Sequence, residues 1–322
     1  MRYLITGGGG FIGSHLVDKI SSRGDKVIVL DNFTTGISSN LSRHEFQSNV
    51  KIIQGSVLDE RLVRKCVEDV DRVLHLAASV GVFNIVRKPI ESILTNIRGT
   101  EIVLSTCLEF NRPILITSSS EIYGKNSSSK LSEDSDRIIG APQKIRWSYS
   151  DSKAIDESLA VAMSIHSGLE ARIVRLFNTV GPRQVGQYGM VVPRFVEAAL
   201  RNEPITIYGT GNQTRCFGHV SDVVEGILLI ENCHEAVGRP VNIGSEEEIS
   251  ILDLAKLTKK LLDSKSDIVF QDYEVAYSKG FEDMERRVPN TSLIQSLVNW
   301  KPRLDVSKVI MDIADYIKSS AK

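Results

Sequence analysis

The chain is poor in cysteine, and the four it has are scattered. Cys66, Cys107, Cys216 and Cys233 form no CxxC pair and show no zinc-type spacing. That argues against a disulfide frame and for reduced thiols in a cytoplasmic protein. No apolar run reaches the roughly 20 residues needed to cross a bilayer. The sequence opens directly on strand-like "MRYLITGG" with no signal-type stretch before it, so a soluble, cytoplasmic protein is expected. Charge of either sign is not in excess: 39 Lys and Arg stand against 40 Asp and Glu, a formal net charge of −1. This excludes a broad field for nucleic acid or anionic membrane but permits a local basic pocket. There is no GxSxG, HExxH or P-loop GK[ST], so acyl hydrolysis, zinc hydrolysis and P-loop phosphoryl transfer have no support.

What is present is alternation. "RYLIT" (2–6), "KVIVLD" (26–31), "VKIIQ" (50–54), "DRVLHL" (71–76), "PILITS" (113–118) and "EARIVRLF" (170–177) are near-continuously apolar, as parallel strands buried on both faces should be. Between them lie segments with apolar residues at three- and four-residue spacing, two of them running into glycine, a common helix stop. The fold class expected is α/β, a Rossmann-type doubly wound parallel sheet with a smaller C-terminal substrate-binding lobe. The boundaries expected are 1–178 for the dinucleotide domain, with a return segment around 216–244, and 179–215 with 245–322 for the lobe. The polar stretch "NSSSKLSEDSD" (126–136) is expected to be a mobile loop near the site.

The first strand runs into "TGGGGFIG". Gly7, Gly10 and Gly13 serve a tight turn, backbone approach to a pyrophosphate and close helix–strand packing, with a helix N-terminus facing the negative charge. Strand two ends at Asp31, 18 residues after Gly13, where a carboxylate would bind both hydroxyls of an adenosine ribose and repel a 2′-phosphate. NAD is therefore expected rather than NADP.

"YSDSK" puts Tyr149 and Lys153 on one face of a helical segment. With eight tyrosines in the chain a chance YxxxK is common, so position carries the argument: the pair follows the strand that ends in "TSSSEIYG". A tyrosine with a pKa of about 10 is too weak a base near neutral pH. A neighbouring ammonium and a positively charged nicotinamide would both favour the phenolate. It could then take a proton from a sugar hydroxyl, with a serine sharing the hydrogen bond. The plainer alternatives are a core tyrosine and a solvated lysine.

Taken in order, "TGGGGFIG", "HLAA", "SSSEIYG", "YSDSK", "RLFNTVGPRQ" and "TRCFGHVSDVV" resemble the extended short-chain dehydrogenase/reductase family of nucleotide-sugar epimerases, dehydratases and decarboxylases. The resemblance implies NAD as cofactor, a UDP-sugar as substrate, and homodimers formed through two helices per subunit. By position it implies Ser119, Tyr149 and Lys153 as the catalytic set. Phe11, Ile12, Asn32, Ser56, Val57, Leu76, Ala77 and Ala78 would join Gly7, Gly10, Gly13, Asp31 and Lys153 around the cofactor. Asn178, Val192, Tyr208, Arg215 and Arg287 would line the substrate. One departure is "GS" at Gly55 and Ser56, where the family commonly has "GD" with the aspartate on the adenine.

Glu121 sorts the members. Simple 4-epimerases need no third acid or base, and the 4,6-dehydratases carry Asp-Glu where this chain has Ser120 and Glu121. Serine is a poor acid for expelling a hydroxyl. "SSSEIYG", "RWSYSDSK" and "GFEDMERRVPN" resemble the UDP-glucuronate decarboxylases, which implies C4 oxidation followed by loss of CO2. Glu121 would then steer the C6 carboxylate or the proton delivered to C5. Arg287 would be a catalytic acid or carboxylate anchor, or equally a diphosphate clamp, and 276–284 would form part of the substrate pocket. A UDP-hexose or UDP-hexuronate 4-epimerase is the alternative, and a non-catalytic NAD-binding regulator a more distant one.

Overall fold

A computed structural model describes residues 1–81, 85, 87–186, 190–272, 284 and 286–320. The segment 276–284 invoked above lies outside the described residues, apart from Met284. The strands are β1 (Arg2–Thr6), β2 (Lys26–Asp31), β3 (Val50–Gln54), β4 (Arg72–His75), β5 (Ile114–Ser119), β6 (Ala171–Leu176), β7 (Thr179–Val180), β8 (Ile205–Tyr208), β9 (Thr214–Cys216), β10 (Gly218–His219), β11 (Pro240–Ile243), β12 (Glu248–Ser250) and β13 (Ile268–Gln271). The helices are α1 (Phe11–Ser21), α2 (Glu60–Glu68), α3 (Pro89–Glu109), α4 (Ser148–Ser167), α5 (Val191–Arg201), α6 (Val220–Glu231), α7 (Ile251–Leu261), α8 (Ser292–Val298) and α9 (Val306–Ser320).

Seven strands form one sheet in the order β3-β2-β1-β4-β5-β6-β11, with every neighbouring pair parallel. Chain order reverses between β1 and β4, so their carboxyl ends open a crevice of the kind in which doubly wound sheets bind ligands. Local chemistry sets the helix ends. Asp59 accepts from the Leu62 N–H at 3.1 Å to start α2, and α3 carries Pro89 in its first turn, where a missing N–H costs nothing. Gly168 stops α4 in the left-handed region at φ 75°, which a side chain would resist.

The two faces of the sheet are covered separately. α1, α6 and α8 bury Leu16, Val17, Ile20, Val223, Ile227 and Ile294 on one side. α2, α3 and α4 bury Val63, Val67, Val103, Leu104 and Ala160 on the other. Each fully buried aliphatic side chain contributes about 1.5–3 kcal/mol, so these two layers fix the sheet that carries the site. A third core joins α5, β8, α7 and α9 through Phe195, Val196, Ile207, Leu254, Val309 and Ile313, which is the smaller lobe.

Two expectations need correction. The segment around α8 is expected in the lobe, yet Trp300 packs with the sheet-side core. Its indole lies 3.2 Å from where a Cβ on Gly226 would sit, and its Nε1 donates to the Asp222 carbonyl at 3.0 Å. The stretch 126–136 is anchored. Leu131 is buried and exchanges backbone hydrogen bonds with Val288 and Asn290, while the Asn242 N–H donates to Glu133 at 2.8 Å. Among the described residues no helix is long and apolar enough to cross a membrane.

Candidate active site

A cavity of about 580 Å³ runs from the β1–α1 turn to the small lobe. Its floor is the glycine loop. Gly7 sits at φ +71°, and a Cβ there would lie 2.7 Å from the Ala77 nitrogen. A Cβ on Gly13 would run into the Gly7 carbonyl oxygen and lie 2.8 Å from the Gly8 Cα. Gly10 leads into α1 with no side-chain cap, so the first N–H groups of the helix remain for an anion. Asp31 accepts from the Gly9 N–H through Oδ2 and from the Phe33 N–H through Oδ1, both at 2.8 Å. Burial raises its pKa, and these two bonds pull against that rise. A cradle that side chains would fill, with a carboxylate fixed at its rim, fits a dinucleotide.

Gly7, Gly10, Phe11, Ile12, Gly13, Asp31, Asn32, Leu76, Ala77, Ala78 and Lys153 all line this cavity. Ser56 and Val57 are not among its lining residues. The Ser56 hydroxyl instead accepts from the Leu58 N–H at 3.2 Å, and Val57 packs in the core beneath α3.

At the end of β5, Ser119 caps a short 3-10 turn and accepts from the Glu121 N–H at 3.2 Å. Its side chain lines the cavity with Tyr149 and favours that residue's ionised form. Burial, the largest influence, pushes the Tyr149 hydroxyl up; Lys153 pulls it down, and Glu121 pushes up again. Lys153 is only 2% exposed, so it is not a solvated charge. Its Nζ donates to Asp156 at 3.2 Å, a partner that the sequence reading did not single out.

Glu121 is held from both sides. Oε1 accepts from Arg287 at 2.6 Å and Oε2 from Arg146 at 2.7 Å, while Arg287 also donates to the Asn178 side chain at 2.8 Å. Burial works to raise the Glu121 pKa, but the two guanidiniums overcome it and bring the carboxyl down to about 2. Arg146, the other residue missed, stacks on Trp147 at 4.7 Å. Its signal was available in "RWSYSDSK", three residues before Tyr149, but the pairing with Glu121 spans 25 residues and no local pattern predicts it.

Further out, Tyr208 and Arg215 line the cavity with Arg194 and Gln213. The Arg194 guanidinium lies 4.5 Å from the Tyr208 ring, and Arg215 donates to the Thr214 carbonyl at 2.8 Å. Val192 is a correction. It is fully buried in the lobe core, and the neighbouring Val191 faces the cavity instead, because one residue along a helix is about 100° of rotation.

A dinucleotide cradle that shares one cavity with Ser119, Tyr149 and Lys153 defines an NAD-dependent enzyme of the extended short-chain dehydrogenase/reductase class that works on nucleotide sugars. Within that class, the chain belongs to the GDP-mannose 4,6 dehydratase family, whose model matches residues 4–313. It is 41% identical over 304 residues to a UDP-N-acetyl-alpha-D-glucosaminuronate decarboxylase of Bacillus cytotoxicus, covering 94% of this chain and 93% of that protein. UDP-glucuronic acid decarboxylase 1 of Arabidopsis thaliana is 36% identical over 307 residues, 95% of this chain and 67% of that one. Among solved structures, the UDP-glucuronic acid 4-epimerase of Bacillus cereus, in complex with UDP-glucuronic acid and NAD, has a TM-score of 0.88 at 27% identity, covering 99% of this chain and 100% of that one.

Proposed function

We propose that the chain decarboxylates a UDP-hexuronate, UDP-glucuronate or its 2-acetamido counterpart, through a C4-keto sugar. The observation that carries the reading is the Arg146–Glu121–Arg287 cluster. Two guanidiniums flank one ionised carboxylate beside the Ser119–Tyr149 pair. A sugar bearing a C6 carboxylate is what such a pocket complements; a hydroxymethyl group needs no such charge.

NAD would be held by the glycine loop, Asp31 and Lys153, and when bound supplies the two-electron oxidation of the sugar's C4 and its reversal. Tyr149 receives the proton of the C4 hydroxyl, with Ser119 sharing that hydrogen bond and Lys153 favouring the phenolate. In the resulting β-keto acid the C5–C6 bond breaks, CO2 leaves, and the electron pair spreads onto the C4 oxygen. Ser119 and Tyr149 donate to that oxygen as its charge grows. Glu121, ionised above a pH of about 2, carries no proton to give to C5. Its work is to space the two arginines and to keep negative charge facing the departing carboxylate. Asn178, tied to Arg287, fixes the latter's plane. Arg215, Arg194 and Tyr208 suit the diphosphate and nucleoside end.

A second reading, 4-epimerisation of the same uronate, is favoured by the likeness to the Bacillus cereus enzyme, and would use the same serine, tyrosine and lysine. Proton NMR of UDP-glucuronate and of UDP-N-acetylglucosaminuronate, each incubated with the protein and NAD, separates the two. A UDP-pentose or 4-keto pentose sustains decarboxylation. A C4 epimer that keeps its C6 carboxylate overturns it.

A homodimer belongs to the same reading. It is supported by Ile90 and Leu94 on α3 and by Ile155 and Ile165 on α4, all exposed on two helices that pack together. A reducing, cytoplasmic setting is supported by four buried free cysteines.

A further inference from the structure

Asp156 lies one helical turn beyond Lys153 on α4, and both side chains are 2% exposed. An i, i+3 ion pair is ordinarily a weak surface feature; here both partners are sealed between α4, α3 and the sheet. The Thr100 hydroxyl of α3 meets His75 Nε2 at 3.2 Å and favours the ionised Asp156 carboxylate. His75 Nδ1 lies 2.7 Å from Thr6 Oγ1, which accepts from the Ala77 N–H at 3.2 Å. A line of polar groups thus runs under the cofactor cradle, from the turn after β4 toward the lysine. His75 is neutral in it, because burial, aided by Lys153, brings its pKa down to about 3. The one charge facing Lys153 along this line is the Asp156 carboxylate.

We propose that Asp156 is a positioning residue for the Tyr149–Lys153 pair, a buried counter-charge that keeps Lys153 an ammonium and sets the pH range in which the pair works. This rests on the NAD-dependent reading above, in which that pair handles the C4 hydroxyl proton. Without a counter-charge, burial would drive Lys153 toward the neutral amine. With Asp156 beside it, the opposite holds and its pKa is raised.

The other charges around the pair are accounted for. Glu157, on the same helix, is bound to Arg175 of β6 at 2.8 Å. Glu121, from the turn after β5, raises Tyr149 but is matched by Arg146 and Arg287. Neutralising Asp156 removes a negative charge that favours the protonated form of both Tyr149 and Lys153, so both protons of the pair come off at lower pH.

The test is Asp156→Asn in the full-length protein, read in two ways. The bell-shaped pH dependence of kcat/KM on the turned-over uronate should move acidward on both limbs, by about one pH unit or more. Independently of any substrate, the ultraviolet titration of Tyr149, isolated by subtracting the Tyr149→Phe protein in each background, should complete at lower pH. If no uronate is turned over, the functional reading fails, and the tyrosine titration still decides this proposal. Asp156→Ser gives a second handle: it also removes the charge, so the titration again moves to lower pH. Should the Asn variant not fold, the Ser variant decides alone. A titration unmoved or shifted the other way in the deciding variant overturns the proposal.

Discussion

Glu121→Gln tests the arginine cluster most directly. The carboxyl stands at about 2 against an ordinary 4.5. At about 1.4 kcal/mol for each pH unit, the balance of the two arginines against burial favours its ionised form by roughly 3 kcal/mol. For a carboxyl lowered on folding, that stabilisation is present in full above the ordinary value and is lost as pH falls toward about 2. At neutral pH the wild-type protein therefore has all of it. Glutamine keeps the shape and one acceptor but removes the charge that the largely buried Arg146 and Arg287 guanidiniums both bind. Urea unfolding at pH 7 should show a loss of about 2–3 kcal/mol. Adding Arg146→Met to the same protein should recover part of it, since one guanidinium is then gone. UDP-glucuronate, whose carboxylate could replace the missing charge, should raise the Tm of Glu121→Gln more than that of the wild type. Turnover should fall without a rise in KM, as the pocket becomes more attractive to a carboxylate and less able to expel one. A variant within about 0.5 kcal/mol of the wild type, or one in which the uronate gives no larger stabilisation, would refute the cluster's role as a charge-balanced carboxylate site.

Gly13→Ala should weaken NAD binding at least about tenfold by calorimetry, because the new methyl group meets the Gly7 carbonyl and must displace the cradle. Tyr149→Phe should cut kcat by about 10²–10⁴ while leaving NAD affinity within a few-fold, measured by the same titration. Ile165→Lys on the exposed face of α4 should convert a dimer to a monomer in light scattering; a wild-type monomer would show that the α3–α4 face serves another purpose.

The sheet was legible because its strands are apolar on both faces, a pattern that helices cannot share over five or six residues. β1, β2 and β3 occupy the expected residues, and β4, β5 and β6 differ from expectation by one residue at each end. The small lobe was less legible because its strands are short and paired two by two, β8 with β13 and β9 with β12, so no continuous run announces them. Val192 shows the limit of reading a helix start: with Val191 and Val192 adjacent, only the rotation of α5 decides which faces the cavity. α8 shows another, since its attachment to the sheet depends on Trp300 meeting a bare Gly226 more than seventy residues away.

The site divides along the same line. Residues placed by the local chain, the glycine loop, Asp31 at a strand end and the Tyr149–Lys153 spacing, line the one cavity that the sequence pointed to. Residues whose role comes from a partner distant in the chain could not be named from sequence. Arg146 was visible but had no reason to be chosen until Glu121 was found between it and Arg287. Asp156 is the sharpest case, because its spacing from Lys153 is obvious and its meaning is not. The same i, i+3 pair in water would matter little; under α3, with Thr100 and a neutral His75 behind it, it is the counter-charge facing a lysine that burial alone would discharge. What converts a common spacing into a functional pair is the low-dielectric setting that the rest of the fold builds around it.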